Sequence, residues 1–522
     1  MTRDVLVAGG GVAGIACALA LADAGLRVAL CEQARRVGGR AVSWTDAATG
    51  DAVDIGPHVI SSEHRNFVAL LERLGTAQRV RWQPDPLLTL VEGGRVLHLR
   101  ARRWPTPLHG LPNLPQALRS VSWADGWSNR RVAWIASRTD EAATLALDRS
   151  DALDWLRARG VSPRFIEWFW TPMCLALLGV PPERCSAAAA LRVFRLMLGR
   201  SGWHFGFATC GLSQLWAEPA VDALLRAGAR VQRGAAVRRV RVVDGRFDAF
   251  ELADGRVVRA RCAVLALPPA ALAALDVPGL GVAADRFEPV PYVSTTLWFD
   301  RRLTRECFWA RVWKPGDLNL DFYDLANIRG LPGDAGSVIA ANAIDAREAQ
   351  ALSDAAVIER TRREIAELAP AVHAARLRHA VVHRIAMAVP APRPGSERLR
   401  PPNATPIAGL WLAGDWTATH EPASMESAAR SARLAAEGIA AVFDRCLAAR
   451  AAPAPETTGA IALLQRGRRR RAAGRAAHGA TDSAAASPAA NTHRADRADP
   501  GPARGAAAAG RRSSSSPGDR TT

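Results

Sequence analysis

Asp4-Val-Leu-Val-Ala8-Gly9-Gly10-Gly11-Val12-Ala13-Gly14 leads through a run of small residues to Gly25, then Leu26-Arg-Val-Ala-Leu-Cys-Glu32. Val5 to Ala8 reads as a short buried strand, and Leu26 to Leu30 as a second strand parallel to it. Between them Gly9, Gly11 and Gly14 place Gly-x-Gly-x-x-Gly at a strand-to-helix turn. The first glycine permits the tight turn. The second lets the backbone approach a pyrophosphate, and the third lets the helix pack close to the strand. Val12 and Ala13 open that helix, where exposed N–H groups favour a phosphate. Ala16, Leu19 and Ala20 give it a flat apolar face. Glu32 ends the second strand, where a carboxylate accepts hydrogen bonds from a ribose 2′-OH. Strand, glycines, helix, strand and acid in this order predict a dinucleotide-binding βαβ unit.

Gly38-Gly39-Arg40 follows, which an NAD site does not require. It resembles the Gly-Gly-Arg element of the flavin amine oxidase and phytoene desaturase superfamily, where the arginine lies near the pyrophosphate. The resemblance implies FAD rather than NAD. A second signature stands near the other end: Gly409-Leu-Trp-Leu-Ala-Gly414-Asp415-Trp416-Thr, then Pro422-Ala-Ser424-Met425-Glu426-Ser. In this superfamily such an aspartate binds the ribityl or pyrophosphate part of FAD. A helix starting near Ser424 and Met425 would turn its positive end toward flavin N1 and O2, where charge develops on reduction. The resemblance also brings a backbone amide near Val237 to the adenine.

Three segments resemble more particularly the squalene-associated FAD-dependent desaturases, or hydroxysqualene dehydroxylases. They are Gly-Gly-Arg, then Asp54-Ile-Gly56-Pro-His58 with a helix ending Leu74-Gly75, and Trp170-Thr-Pro-Met-Cys through Cys185-Ser186. In that family the Gly-x-His segment runs close to the flavin. His58 is therefore a candidate catalytic residue, its plainer reading being a strand-end histidine bonded to a backbone carbonyl. Trp416 is a second candidate, as one wall of the flavin site. In many amine oxidases a lysine holds a water at flavin N5. The corresponding strand here carries Ser294, Thr295 and Thr296.

The 522 residues suffice for two interleaved domains. The net charge of +18 does not imply a nucleic-acid partner. Of 68 basic residues only Lys314 is a lysine, a skew that looks like genomic GC bias. Residues 451–522 alone hold 12 arginines against 5 acids. The eight cysteines form no Cys-x-x-Cys pair, which fits a reduced compartment and no metal site. No stretch stays apolar long enough to span a bilayer.

Residues 82–140 interleave Trp82, Trp104, Trp123, Trp127 and Trp134 with arginines, prolines and leucines. Indole and guanidinium together suit a lipid headgroup layer. The other reading is a lid whose aromatics pack inward. From Ala451 the composition collapses to Ala, Arg, Gly, Ser, Pro and Thr, which predicts a disordered tail.

The expected fold is α/β: a GR2-type Rossmann-like FAD-binding domain from 1–95, 209–270 and 404–450, an interleaved α+β substrate domain from 96–208 and 271–403, and a disordered basic tail at 451–522. The resemblance implies an FAD-dependent oxidoreductase moving hydride at flavin N5 of a lipophilic isoprenoid, as a desaturase or a dehydroxylase. A small-amine oxidase and a non-catalytic FAD-bound membrane protein are the alternatives. The expected location is cytoplasmic, peripheral on the inner face of the membrane, with an unidentified electron partner.

Overall fold

The nucleotide-binding sheet forms around β1 (Arg3–Ala8), whose apolar residues are buried on both faces, as a central parallel strand requires. α1 (Val12–Asp23) leads to β2 (Val28–Glu32). The chain returns as β3 (Arg230–Arg233), β4 (Val237–Val243), β5 (Arg246–Leu252), β6 (Val257–Leu265) and β7 (Leu410–Leu412). The order is β3-β2-β1-β6-β5-β4, with β7 also paired to β6. β3, β2, β1, β6 and β7 are parallel, and β4 and β5 add an antiparallel meander. α2 (Met425–Val442) packs beside α1 on one face, through alanines at 428, 429, 432, 435 and 436. The structure, a computed structural model, describes residues 3–83, 85–448, 451–453 and 456–465.

A second seven-stranded sheet runs Leu377–Pro390, Pro289–Phe299, Val338–Ala343, Asp321–Asp324, Phe308–Arg311, Leu88–Glu92, Arg95–Leu99. One face packs Leu297, Phe299, Trp309, Phe322 and Ile339 against Ile365 of the helix Asp354–Ile365. The other face is taken up below. Between the sheets' chain segments lies a helical insertion around Trp155, Trp170 and Phe194.

Two expected boundaries move. The hairpin 88–99 pairs with Phe308–Arg311, so the division at 95 cuts a hairpin that belongs to the second sheet. Residues 451–453 and 456–465 are not a free tail. Ala452 N–H donates to Asn66 Oδ1 (2.9 Å), Arg430 donates to the Ala452 carbonyl (3.0 Å), and Thr106 donates to the Thr458 carbonyl (2.8 Å). Ile461 in the short helix 459–465 is buried. Backbone bonding and one apolar anchor hold this strap although its composition is that of a linker. The remainder of the expected disordered tail lies outside the described residues.

Candidate functional site: a dinucleotide cradle against the second sheet

Gly9 adopts φ +105°, and a Cβ there would collide with the Ala266 carbonyl oxygen. A Cβ at Gly14 would collide with the Gly9 carbonyl, so the two glycines bring α1 against the sheet. At Gly11 the situation differs. A Cβ there would meet only the Gly39 Cα, 4.0 Å away. Open space thus lies over the start of α1, whose first amides at Val12, Ala13 and Gly14 have no partner in the helix ladder. Gly11 as N-cap offers no side chain to fill it.

Glu32 is buried, and both its oxygens are engaged. Gly10 N–H donates to Oε2 (2.6 Å) and Ala34 N–H to Oε1 (2.8 Å). The carboxylate braces the glycine turn, and its remaining lone pairs are available to a ribose. Gly234 and Ala235 donate to the carbonyls of Ala34 and Glu32, which sets the segment entering Val237 alongside.

The two terminal signatures meet. Arg40 Nη2 donates to Asp415 Oδ1 at 2.7 Å, and Nη1 to the Ala388 carbonyl at 3.1 Å. Asp415 is buried, while about a third of the Arg40 side chain is exposed. The loop after Arg40 is pinned by Trp216 Nε1–H on the Ala41 carbonyl (3.0 Å) and by reciprocal bonds between Ser43 and Ser213 (2.9 Å). Arg400, which the sequence reading missed, orders the other side. It donates to the carbonyls of Asp415, Thr417 and Glu421 (2.8–2.9 Å). No local motif marks an arginine whose partners are backbone carbonyls.

Ser424 is extended (φ −168°), and its hydroxyl caps α2 by accepting from Ser427 N–H at 3.1 Å. Met425 begins the helix and is buried. Glu426, also missed, reaches sideways. Its carboxylate accepts from Asn66 N–H (3.1 Å), Asn66 Nδ2 (2.7 Å) and Phe67 N–H (2.9 Å) at the start of the helix Arg65–Leu74. Beside it, burial first and the Glu426 charge second push the Glu421 carboxyl up to about 8.

His58 Nδ1 bonds the Gly56 carbonyl at 2.8 Å, which is the plainer of its two sequence readings. Burial lowers its pKa, that hydrogen bond opposes the shift, and the Arg40 charge lowers it further. A neutral imidazole therefore stands near the Arg40–Asp415 pair. Trp416 packs tightly. It is 1% exposed, donates Nε1–H to the Leu267 carbonyl (3.0 Å) and packs edge-on against Phe287. The indole N–H and most of the ring are thus engaged inside the protein, and Trp416 lines the small cavity beside Asp415 and Arg400.

The open cradle, the free amides of α1, the Arg40 cation and the N-terminus of α2 fit an anionic dinucleotide. On the insertion, Trp123 and Trp127 are 65% and 68% exposed, and Trp104, Trp134, Leu108 and Leu111 are exposed with them. The tryptophans point outward, against the inward-packed lid. Arg130 and Arg138 lie over the Trp127 and Trp134 rings.

The sequence profile of the family described as flavin containing amine oxidoreductase matches residues 12–440. The chain is 26% identical over 460 residues to a 15-cis-phytoene desaturase of Synechococcus elongatus, covering 84% of this chain and 96% of that one. It is 25% identical to a probable zeta-carotene desaturase of the same organism, covering 83% and 98%. Among solved structures, a putrescine oxidase bound to putrescine superposes with a TM-score of 0.65 at 18% identity, covering 85% and 100%. An oxidoreductase from Methanosarcina mazei superposes at 0.62 and 16% identity, covering 84% and 100%. At such identity the structural likenesses establish the fold.

Proposed function

The chain belongs to the flavin-containing amine oxidoreductase family, and from that premise we propose that it binds FAD and acts on a long apolar polyisoprenoid. The near full-length match to carotenoid desaturases carries this reading. In it the amides of Val12, Ala13 and Gly14 hold the diphosphate, Glu32 a ribose and the Val237 segment the adenine, with Arg40 and Asp415 beside the diphosphate and ribityl chain. Gly38, Gly39 and Gly414 let the chain pack closely there, since a Cβ would crowd Val42, the Gly11 backbone and the Trp416 ring in turn, and Ser424 and Met425 bring the N-terminus of α2 to the flavin ring. FAD supplies hydride transfer at N5. The protein orients the substrate carbon, excludes water and handles the proton.

The exposed Trp/Leu/Arg surface supports a lipid substrate drawn from a membrane that the protein touches without spanning. No helix among the described residues is long and apolar enough to cross a bilayer. The lysine-free strand Pro289–Phe299 argues against a small-amine oxidase. Desaturation follows the relatives. Reductive dehydroxylation, the reverse use of the cofactor, is favoured by a row of polar side chains on that same strand and its neighbours.

Anaerobic mixing tests the reading. Oxidised protein bleached by a polyisoprenoid hydrocarbon identifies a desaturase. Dithionite-reduced protein recoloured by an allylic-alcohol polyisoprenoid identifies a dehydroxylase. Bleaching by amines and by neither lipid overturns the polyisoprenoid reading. Acid precipitation should release FAD into the supernatant.

A further inference from the structure

Strands Pro289–Phe299, Val338–Ala343 and Asp321–Asp324 lie side by side, with Ser294 opposite Asn342 and Asn342 opposite Asp321. Residues directly opposite one another share a face, so Ser294, Asn342 and Asp321 form one polar row. The two-residue period adds Tyr292 and Tyr323 to the same face. That face is turned to the Gly56-Pro-His58 segment: a Cβ at Gly56 would lie 3.5 Å from both Asn342 Oδ1 and Ser294 Oγ. The segment in turn reaches the Arg40–Asp415 pair through His58. The row thus lies against the segment whose histidine feels the Arg40 charge, and Phe207, Phe308 and Leu325 pack in the same cluster as Tyr323.

Within the row Asp321 is under-satisfied. Tyr323 O–H donates to Oδ2 at 2.9 Å, and the Asn342 side chain stands beside the carboxyl, where its polarity opposes the upward shift. Oδ1 is buried with no hydrogen-bond partner among the described residues, on a side chain whose residue is 8% exposed. A buried oxygen left this way calls for a ligand atom. With Oδ2 accepting, the proton of the neutral acid sits on Oδ1, where a donor would be used.

Resting on the polyisoprenoid reading above, we propose that Asp321 is the catalytic acid of this site and gives its Oδ1 proton to the hydroxyl oxygen of an allylic-alcohol polyisoprenoid. Asn342 and Ser294 hold that oxygen, and Tyr323 is a positioning residue for Asp321. The substrate C–O bond breaks and the oxygen leaves as water carrying the Asp321 proton. The hydride and its electron pair, which form the new C–H bond, are what the reduced cofactor supplies. Tyr323 O–H then stabilises the Asp321 carboxylate until water reprotonates it.

Burial pushes the Asp321 carboxyl up to about 7, so the neutral acid is populated at neutral pH. The other titratable groups facing the row are Tyr292 and Tyr323, Asp345 beyond Tyr292, His58 on the opposing segment and His383 opposite Ser294. Burial raises both tyrosines and lowers both histidines, leaving Asp321 the group that changes charge near neutrality.

The experiment uses the flavin-loaded full chain, reduced with dithionite and mixed anaerobically with an allylic-alcohol polyisoprenoid in detergent. In parallel, infrared difference spectra compare oxidised, substrate-free wild type with Asp321→Asn across pH. Expected is a single-turnover rate that falls above about pH 7 and drops roughly 100-fold or more in Asp321→Asn, with flavin content unchanged. Tyr323→Phe should slow the step less and move the pH midpoint upward, because its hydrogen bond favours the carboxylate. The infrared difference should show a protonated carboxyl that titrates away near the same pH. Asp321→Asn within about threefold of wild type, or no such band, overturns the proposal. Should Asp321→Asn fail to retain flavin, the Tyr323→Phe midpoint and its carboxyl titration decide, and an unmoved midpoint overturns it. If wild type reacts with a polyisoprenoid hydrocarbon and not the alcohol, the polyisoprenoid reading stands and the acid assignment falls. If it reacts with neither, both fall.

Discussion

Arg40 and Asp415 lie 375 residues apart in the chain and 2.7 Å apart in the fold, so each is the other's main support. Asp415→Ala leaves the arginine only the Ala388 carbonyl. The loss should be about 1–3 kcal/mol of flavin affinity, below that of a fully buried pair because Arg40 is partly solvated. Equilibrium dialysis would read this as roughly 5- to 150-fold weaker binding, and an unchanged constant would refute it. Glu32→Ala should do two things, since the carboxylate holds two backbone N–H groups and, in the proposed reading, also faces a ribose. Flavin-free protein should lose about 1.5–3 kcal/mol in a denaturant titration, which a purely ligand-binding residue would not cause. Glu421 supplies a pH signature. Its folded pKa stands at about 8 against an ordinary 4.5, so between those values the folded state keeps a proton that the unfolded state has released. Stability should therefore fall as pH rises from 4.5 to 8 and level off above. Glu421→Gln should flatten part of that slope and be the more stable protein at pH 8.5. Parallel melting profiles for the two proteins would contradict the assignment.

At the scale of elements, the helix Arg65–Leu74 begins at His64, which provides no capping side chain. Glu426 of α2 caps it instead, from 360 positions away. Glu426→Ala should cost about 1–2 kcal/mol, and Glu426→Gln less, because the amide oxygen can still accept from Asn66 and Phe67. Matched thermal melts of the two variants check the order. The unit β1–α1–β2 was legible because its signals are local: strand, glycine positions and acid fall within 30 residues and were all found where expected. The division at 95 splits the hairpin 88–99 because a strand's own residues do not name its partner, which here is Phe308–Arg311. Asp321 and Tyr323 carried a readable sign, the i, i+2 spacing on a strand. Their meaning needed Asn342 and Gly56 beside them.

At the scale of the whole molecule, residues 451–453 and 456–465 tie α2 and the helix Arg65–Leu74 to the insertion near Thr106 and Gly199. Truncation after 448 should lower the thermal midpoint, whereas truncation after 468 should leave it unchanged; equal midpoints would show that the strap contributes nothing. The exposed tryptophans predict flotation with anionic liposomes, reduced by Trp123→Ala with Trp127→Ala and only weakened by salt. If the double substitution leaves flotation intact and truncation after 468 abolishes it, the arginine-rich tail is the anchor.

The glycine turn, Glu32, Gly38-Gly39-Arg40 and Gly414-Asp415 determined the nucleotide-binding fold and the cofactor class from sequence alone. Their backbone signals are local in the chain, although Arg40 and Asp415 meet only in the fold. Which groups face one another across the site was decided only by the tertiary structure. Trp416 went inside, where a carbonyl satisfied its N–H, and the insertion's tryptophans went outside. Arg400 and Glu426 found backbone partners, and Asp321 kept one oxygen without a partner among the described residues. A side chain's burial and its hydrogen-bond partners are properties of packing between distant segments, and side-chain identity alone does not carry them.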